Sequence, residues 1–308
     1  MSSTTPIPTA TPTPGNAKGM QGFVFALSAY LMWGFLPFYM KAVAHVPALE
    51  VVAQRIVWSL PVGAAVLWGQ GKLGSVLAAA RNPRVLALGA LTAALISVNW
   101  LTYVWAIAAG RALETALGYY INPIVNILVG IFVLRERFTP VQGVAVALAV
   151  VGVAIMTYVS GGLPWVSLVL ALSFAAYGYF KKTLSIGGTE GFLLEILVLT
   201  PPALAYVVYT LATGDSHFWS PATGVTTDTW LLMAAGLVTA VPLILFGLGA
   251  RLLRLSTIGL MQYIAPSMIF LIAIFVFGEP INAGKMIAFG CIWGALALYT
   301  STMFARRT

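Results

Sequence analysis

The stretch Leu117 to Glu136, LGYYINPIVNILVGIFVLRE, returns later in the chain as Leu260 to Glu279, LMQYIAPSMIFLIAIFVFGE. Laid side by side at a fixed offset, the copies share the leading Leu, Tyr120 with Tyr263, Ile121 with Ile264 and Pro123 with Pro266. They also share Leu128 with Leu271, the run Ile131-Phe132-Val133 with Ile274-Phe275-Val276, and the closing Glu136 with Glu279. Both are apolar and long enough for an α-helix to cross ~30 Å of hydrocarbon. An internal duplication of apolar helices, each with a proline about a turn and a half from its start, marks a transporter built from two repeats with its site between them.

Composition sets the class. Of 308 residues, 60% are apolar and 8% charged, and the mean hydropathy is +0.95. Too few charges are present to coat a soluble globule of this size. Runs of about 20 apolar residues lie near residues 20–42, 48–69, 84–107, 113–134, 141–159, 164–181, 191–212, 229–250, 257–278 and 284–304. The short alternating segments of a membrane β-barrel are lacking. The expected fold is therefore an all-α polytopic membrane protein of ten transmembrane helices, arranged as two inverted five-helix repeats.

The chain carries 16 Lys+Arg against 8 Asp+Glu. Their distribution argues for membrane orientation and against a nucleic-acid partner. With a cytoplasmic N-terminus, Lys18, Lys72, Arg81, Arg84, Arg135, Arg137, Lys181, Lys182, Arg251, Arg254, Arg306 and Arg307 fall inside. Lys41, Arg55, Arg111 and Lys285 fall on or near the outside. That asymmetry follows the positive-inside rule and places both termini in the cytoplasm. Residues 1–19, rich in Ser, Thr and Pro, read as a disordered cytoplasmic tail. Residues 20–159 form the first five-helix repeat and 160–308 the second. Cys291, the single cysteine, can form no intrachain disulfide.

Fainter matches extend the duplication. Trp33-Gly34-Phe35 aligns with Tyr177-Gly178-Tyr179, Glu50 with Glu190, and Pro61 with Pro201. Five spans is an odd number, so the second copy enters the membrane from the opposite side, the geometry that permits alternating access. Spans five and ten carry small residues at helical spacing, Gly143 with Ala147 and Gly290 with Gly294. Such spacing lets two helices approach closely, and these two spans are expected to pack across the pseudo-two-fold axis; ordinary apolar filler is the equal alternative.

Polar residues are expensive in lipid and tend to face a bundle interior or cavity. Thr115, Tyr119, Asn122 and Asn126 share one face of span four, with Asn99 and Tyr103 four apart on span three. Tyr30, Trp33, Tyr177 and Tyr179 come from spans one and six, and Gln262 begins the equivalent face of span nine. Trp33, Asn99, Tyr103, Tyr119, Asn122, Tyr177 and Gln262 are the candidate substrate-binding residues. They describe an uncharged pocket with aromatic walls and amide and phenol groups, where helix breaks at Pro123 and Pro266 would receive a polar end. The competing account makes Asn122 and Asn126 interhelical hydrogen-bond glue and packs Trp33 against lipid. Arg55 and Glu114, each about one turn in from the outer surface, are expected to pair. Glu195 is expected to form a structural ion pair with basic residues at the inner end of span seven, and Glu136 and Glu279 to cap helices or hold a gate-side ion pair.

A phosphate-binding loop, an acidic Mg²⁺ motif and metal-ligand spacing are lacking. The chain is expected to need no cofactor or metal and to be no enzyme. A passive channel is disfavoured by the paired repeats.

The residues that carry a resemblance are Trp33-Gly34, Arg55-Ile56-Val57-Trp58-Ser59, Asn99-Trp100, Glu114 through Leu117-Gly118-Tyr119 to Ile121-Asn122-Pro123, Glu136-Arg137-Phe138, Arg254-Leu255-Ser256-Thr257, and Gln262-Tyr263-Ile264 before Pro266. Together they resemble the RarD-like EamA transporters of the drug/metabolite transporter superfamily, over nearly the whole chain after the tail. The architecture looks like that of YddG-type amino acid exporters. The resemblance implies a carrier of the bacterial inner membrane exporting small metabolites, amino acids including aromatic ones, or, as in the association that gives RarD its name, a link to chloramphenicol. It supplies no residue set for the site. A monomer suffices, since duplication already places both halves in one chain; the expected partners are a small-molecule substrate and membrane lipid.

Overall fold

The computed structural model describes residues 14–132, 140–253 and 261–305. Eleven α-helices lie among the described residues: α1 (Pro14–Ala42), α2 (Ala48–Gly69), α3 (Leu73–Arg81), α4 (Pro83–Ala108), α5 (Ala112–Phe132), α6 (Pro140–Val159), α7 (Trp165–Thr183), α8 (Gly188–Thr213), α9 (Thr227–Leu252), α10 (Ile264–Phe275) and α11 (Ala283–Ala305). All except α3 correspond to the ten expected spans. The first helix starts at Pro14, earlier than the boundary at residue 20, and α3 is a short helix between spans two and three. It buries Val76 and Ala79.

Local chemistry fixes several ends. Asn82 caps α4 by accepting the backbone N–H groups of Arg84 and Val85, with Pro83 at the first helical position. At the start of α9, Thr229 Oγ1 accepts the backbone N–H of Thr226 (3.0 Å), half of a capping box. Gly214, at φ 79°, ends α8 in the left-handed conformation that glycine adopts without Cβ strain. Helix α5 runs unbroken through Pro123, which corrects the expected break: a proline removes one backbone donor, and neighbouring helices can keep the remainder of the helix in register.

The packing has two-fold logic. Exchanging each span for its equivalent turns the α1–α9 contact into α7–α4, α5–α7 into α10–α1, and α2–α9 into α8–α4; every one of these contacts is present. The self-equivalent pairs α2–α8, α5–α10 and α6–α11 also touch. Outward-facing apolar and aromatic side chains, among them Trp68 (77% exposed), Tyr158 (89%), Val150 (61%) and Trp230 (65%), suit a lipid environment and interfacial anchoring.

Spans five and ten, α6 and α11, do pack together, with Gly294 of the expected residues at the contact and Gly290 and Ala147 away from it. Gly290 has nothing within 4 Å of where a Cβ would stand. The close approaches are Gly152 against the Ala288 carbonyl and Ile292, Gly284 against Val159, and Gly294 against Leu148. Ala145, Ala149 and Met156 line up with the buried face of α6, whereas Ala147 is exposed. The reason is azimuth: two spacings of small residues compete on each helix, and the rest of the bundle selects the face.

Candidate translocation site

Helices α4 and α5 deliver the polar stripe to α7. The Asn99 side-chain amide donates to the Leu170 carbonyl (3.1 Å) and to Ser173 Oγ (3.0 Å). The Asn122 amide donates to the neighbouring Ala171 carbonyl (3.3 Å). Both asparagines thus tie α4 and α5 to consecutive carbonyls of α7. Tyr119 donates its hydroxyl to Asn99 Oδ1 (3.4 Å). Asn126 lies outside the residues whose side chains are described.

Four rings form a ladder across this junction. Centroid separations are 6.0 Å for Tyr103–Tyr119, 6.2 Å for Tyr119–Phe174 and 6.0 Å for Phe174–Tyr177, all within aromatic contact range. At one end the Tyr177 hydroxyl donates to Glu195 Oε2 (3.2 Å), and Lys181 Nζ donates to Glu195 Oε1 (2.7 Å) while lying 5.3 Å from the Tyr177 ring centre. The expected ion pair of Glu195 is therefore present.

The opposite end of the ladder brings a buried charge to the candidate residues. Arg55, 4% exposed, does not pair with Glu114, which instead accepts from Arg111 (2.7 Å). Its Nε donates to Thr239 Oγ1 (2.9 Å), and its guanidinium stands 4.8 Å over the Trp100 ring. The phenols of Tyr39, Tyr103 and Tyr119 lie within reach of its charge. Arg55 sits seven residues into α2, roughly 10 Å along its axis, whereas Glu114 lies in the first turn of α5. That difference in depth separates them. An ionisable residue in an apolar span was the available signal; Trp100 and Thr239 as its company were not readable.

Trp33 and Gln262 lie away from this junction. Trp33 packs against Tyr30 (5.5 Å) and Phe246 (5.6 Å) in a cluster with Met261 and Ala265, and Gln262 is half-buried between those last two in sequence. Across the two duplicated segments, the hydroxyls of Tyr120 and Ser267 are 2.6 Å apart.

The cation-poor end of the bundle, outer in the charge-based orientation, is fastened by carboxylates. Glu279 accepts the Ala112 and Leu113 backbone N–H groups (2.6 and 2.9 Å), capping α5 from the loop after α10. Gly278, at φ 65°, makes the turn that delivers it. Burial pushes the Glu279 carboxyl above the usual carboxylate range, while the two amides and Lys285 pull it down. Glu50 accepts the backbone N–H groups of His217 (2.9 Å) and Phe218 (3.2 Å), and meets His217 Nδ1 at 2.9 Å. His45 meets Asp228 at 2.9 Å. A cleft of about 610 Å³ opens at this end, with Arg111, Glu114, Trp165 and Lys285 in its wall. Glu136 lies outside the described residues.

Glu279→Ala is expected to weaken closure at this end by about 1–2 kcal/mol, the range for losing a helix N-cap acceptor. In a protein with Cys291 replaced by serine, a cysteine at fully buried Thr115 should then react several-fold faster with an impermeant thiol reagent. Unchanged reactivity would show that the cap does not hold the end shut.

A helical membrane bundle with these features is a transporter, and its relatives agree. The family model described as the EamA-like transporter family matches residues 20–158. The chain is 42% identical to an uncharacterized transporter of Pseudomonas aeruginosa over 91% of its length and 93% of that protein. It is also 42% identical to protein RarD of Streptomyces exfoliatus, over 91% of this chain and 88% of that one. A crystal structure with 19% identity superposes at a TM-score of 0.60, covering 94% of this chain and 99% of the other, which supports the fold alone. The chain belongs to the EamA-like transporters, as a RarD-like member of the drug/metabolite transporter superfamily. It is a bacterial-type multi-pass membrane transporter, not an enzyme.

Proposed function

We propose that this transporter exports amino acids, aromatic ones included, or similar small amphipathic metabolites by alternating access. Residues 20–159 and 160–308 supply the two inverted repeats, whose interleaved helices exchange one packing for its mirror arrangement, in the bacterial inner membrane with both termini cytoplasmic, and one chain is sufficient. The observation that carries this reading is the ring ladder Tyr103–Tyr119–Phe174–Tyr177, which links a buried arginine at one depth to a buried carboxylate at another. Rings receive an apolar side chain without demanding one exact shape, and polar groups at the ladder's ends orient a head group. In this scheme Tyr103, Tyr119 and Tyr177 flank the path, Asn99 and Asn122 hold α7 in place, and Trp33 and Gln262 form a second contact region. The fastened cation-poor end supports a state closed on that side.

Proteoliposomes loaded with unlabelled amino acids and challenged with labelled ones provide the test. Saturable counterflow is expected, reduced roughly tenfold by Tyr119→Ala, the equivalent of ~1.4 kcal/mol of lost ring contact. Absence of exchange across a broad amino-acid panel, together with chloramphenicol uptake, would replace this substrate class with drug efflux. Flux that never saturates would indicate a channel.

A further inference from the structure

Arg55 is an anomaly among the charges of this chain. The described carboxylates are occupied elsewhere: Glu50 on His217, Glu114 on Arg111, Glu190 on Lys72, Glu195 on Lys181, Asp228 on His45 and Glu279 on the α5 amides, while Asp215 is exposed in the loop after α8. No ion pair involves Arg55 among the described residues. A cation this deep in an apolar bundle is costly unless paired. Thr239 and the Trp100 ring compensate only in part, because the buried Nη1 has no hydrogen-bond partner. A second orphan stands one turn along α4 from the Trp100 ring that the Arg55 guanidinium covers: the Tyr103 hydroxyl, also buried and without a partner. Two unpartnered donors from different helices, sharing one low-dielectric neighbourhood, are complementary to an anion.

We propose that Arg55 Nη1 and the Tyr103 hydroxyl form a carboxylate-binding station on the transport path, with the Trp100 and Tyr119 rings receiving the adjoining apolar part of the substrate. The proposal rests on the transport function above and names the group that the carrier recognises. A single guanidinium assisted by neutral donors balances a monoanion, and its planar donors match a carboxylate; a phosphate dianion would leave charge uncompensated. Repeat symmetry sharpens the prediction. The offset that relates Glu50 to Glu190 also relates Arg55 to Glu195, so equivalent positions carry opposite charges. Only the arginine is open, since Glu195 is held by Lys181 and Tyr177. Recognition therefore requires the substrate's carboxylate and is indifferent to an α-amine.

Three probes that share a phenyl ring separate these groups: 3-phenylpropionate, phenylalanine and phenethylamine. With the purified full chain, titration calorimetry and proteoliposome counterflow should show the two acids competing with each other, and phenethylamine binding at least tenfold more weakly. Arg55→Gln should weaken both acids roughly ten- to hundredfold, the range for a hydrogen bond to a charged group, while Arg55→Lys retains the preference for acids. Tyr103→Phe removes an unsatisfied buried hydroxyl, so it should fold at least as well as the natural chain and bind the acids about tenfold more weakly; it decides the matter if Arg55→Gln fails to fold. Equal binding of phenethylamine, or unchanged acid affinity in monodisperse Arg55→Gln or Tyr103→Phe protein, overturns the station. Transport of phenethylamine or chloramphenicol but of neither acid overturns it while leaving a working carrier. Transport of none of the four removes the carrier reading as well.

Discussion

Replacing Glu195 with alanine should cost about 3–5 kcal/mol of stability, the range for breaking a buried ion pair by removing one partner. The Lys181–Glu195 contact is 2.7 Å, with the carboxylate side chain 3% exposed and the lysine 21%. Removing the carboxylate strands a cation between helices and deprives the Tyr177 hydroxyl of its acceptor. Most of the penalty comes from the stranded charge, not from the lost attraction. The pair Glu195→Leu with Lys181→Met should therefore recover most of the stability, since exchanging a whole buried pair for apolar side chains is often neutral. Thermal unfolding of the single and double variants in detergent measures both effects. A Glu195→Ala protein as stable as the natural chain would show that the pair is solvated and structurally idle. If the double variant folds but transports slowly, the pair also contributes at the end of the ladder where a substrate enters or leaves.

The bundle was legible because its information is local and repeated. Twenty-residue apolar runs, turn residues between them and the side preference of sixteen cations each speak without reference to tertiary contacts. The duplication of 117–136 in 260–279 then supplied the two-fold arrangement, and the exchanged contacts α1–α9 and α7–α4 follow from it. Side-chain partners depend instead on azimuth, which hydropathy along a nearly all-apolar helix leaves open. Arg55 and Glu114 share a side of the membrane and not a neighbourhood. Asn99 and Asn122 share a polar stripe with Tyr103 and Tyr119, yet the amides are engaged on α7 carbonyls while the Tyr103 hydroxyl is left over. Sequence could nominate the stripe. Only packing could separate the groups that hold the helices from those with donors to spare.

Gly236→Ala should be more damaging than its single methyl group implies. A Cβ at this position would fall inside the van der Waals envelope of the Trp58 backbone carbonyl, so the clash meets main chain and cannot be relieved by a rotamer change. Helices α2 and α9 would have to separate. That shift strains the Ser59 Oγ bond to the Gly236 carbonyl (3.4 Å) and, one turn further along α9, the Thr239 contact that seats Arg55 (2.9 Å). Overpacking of this kind costs about 1–3 kcal/mol and sometimes more, and here it displaces a buried cation that has no ion pair among the described residues as well. Gly178→Ala is the matched control: no atom lies within 4 Å of its added methyl, so helix propensity should dominate and leave stability unchanged or raised by up to ~1 kcal/mol. Unfolding curves for the two variants should differ in sign. Were Gly236→Ala as stable as Gly178→Ala, the α2–α9 approach would be looser than its geometry indicates, and Thr239 could not be what fixes Arg55 against Trp100.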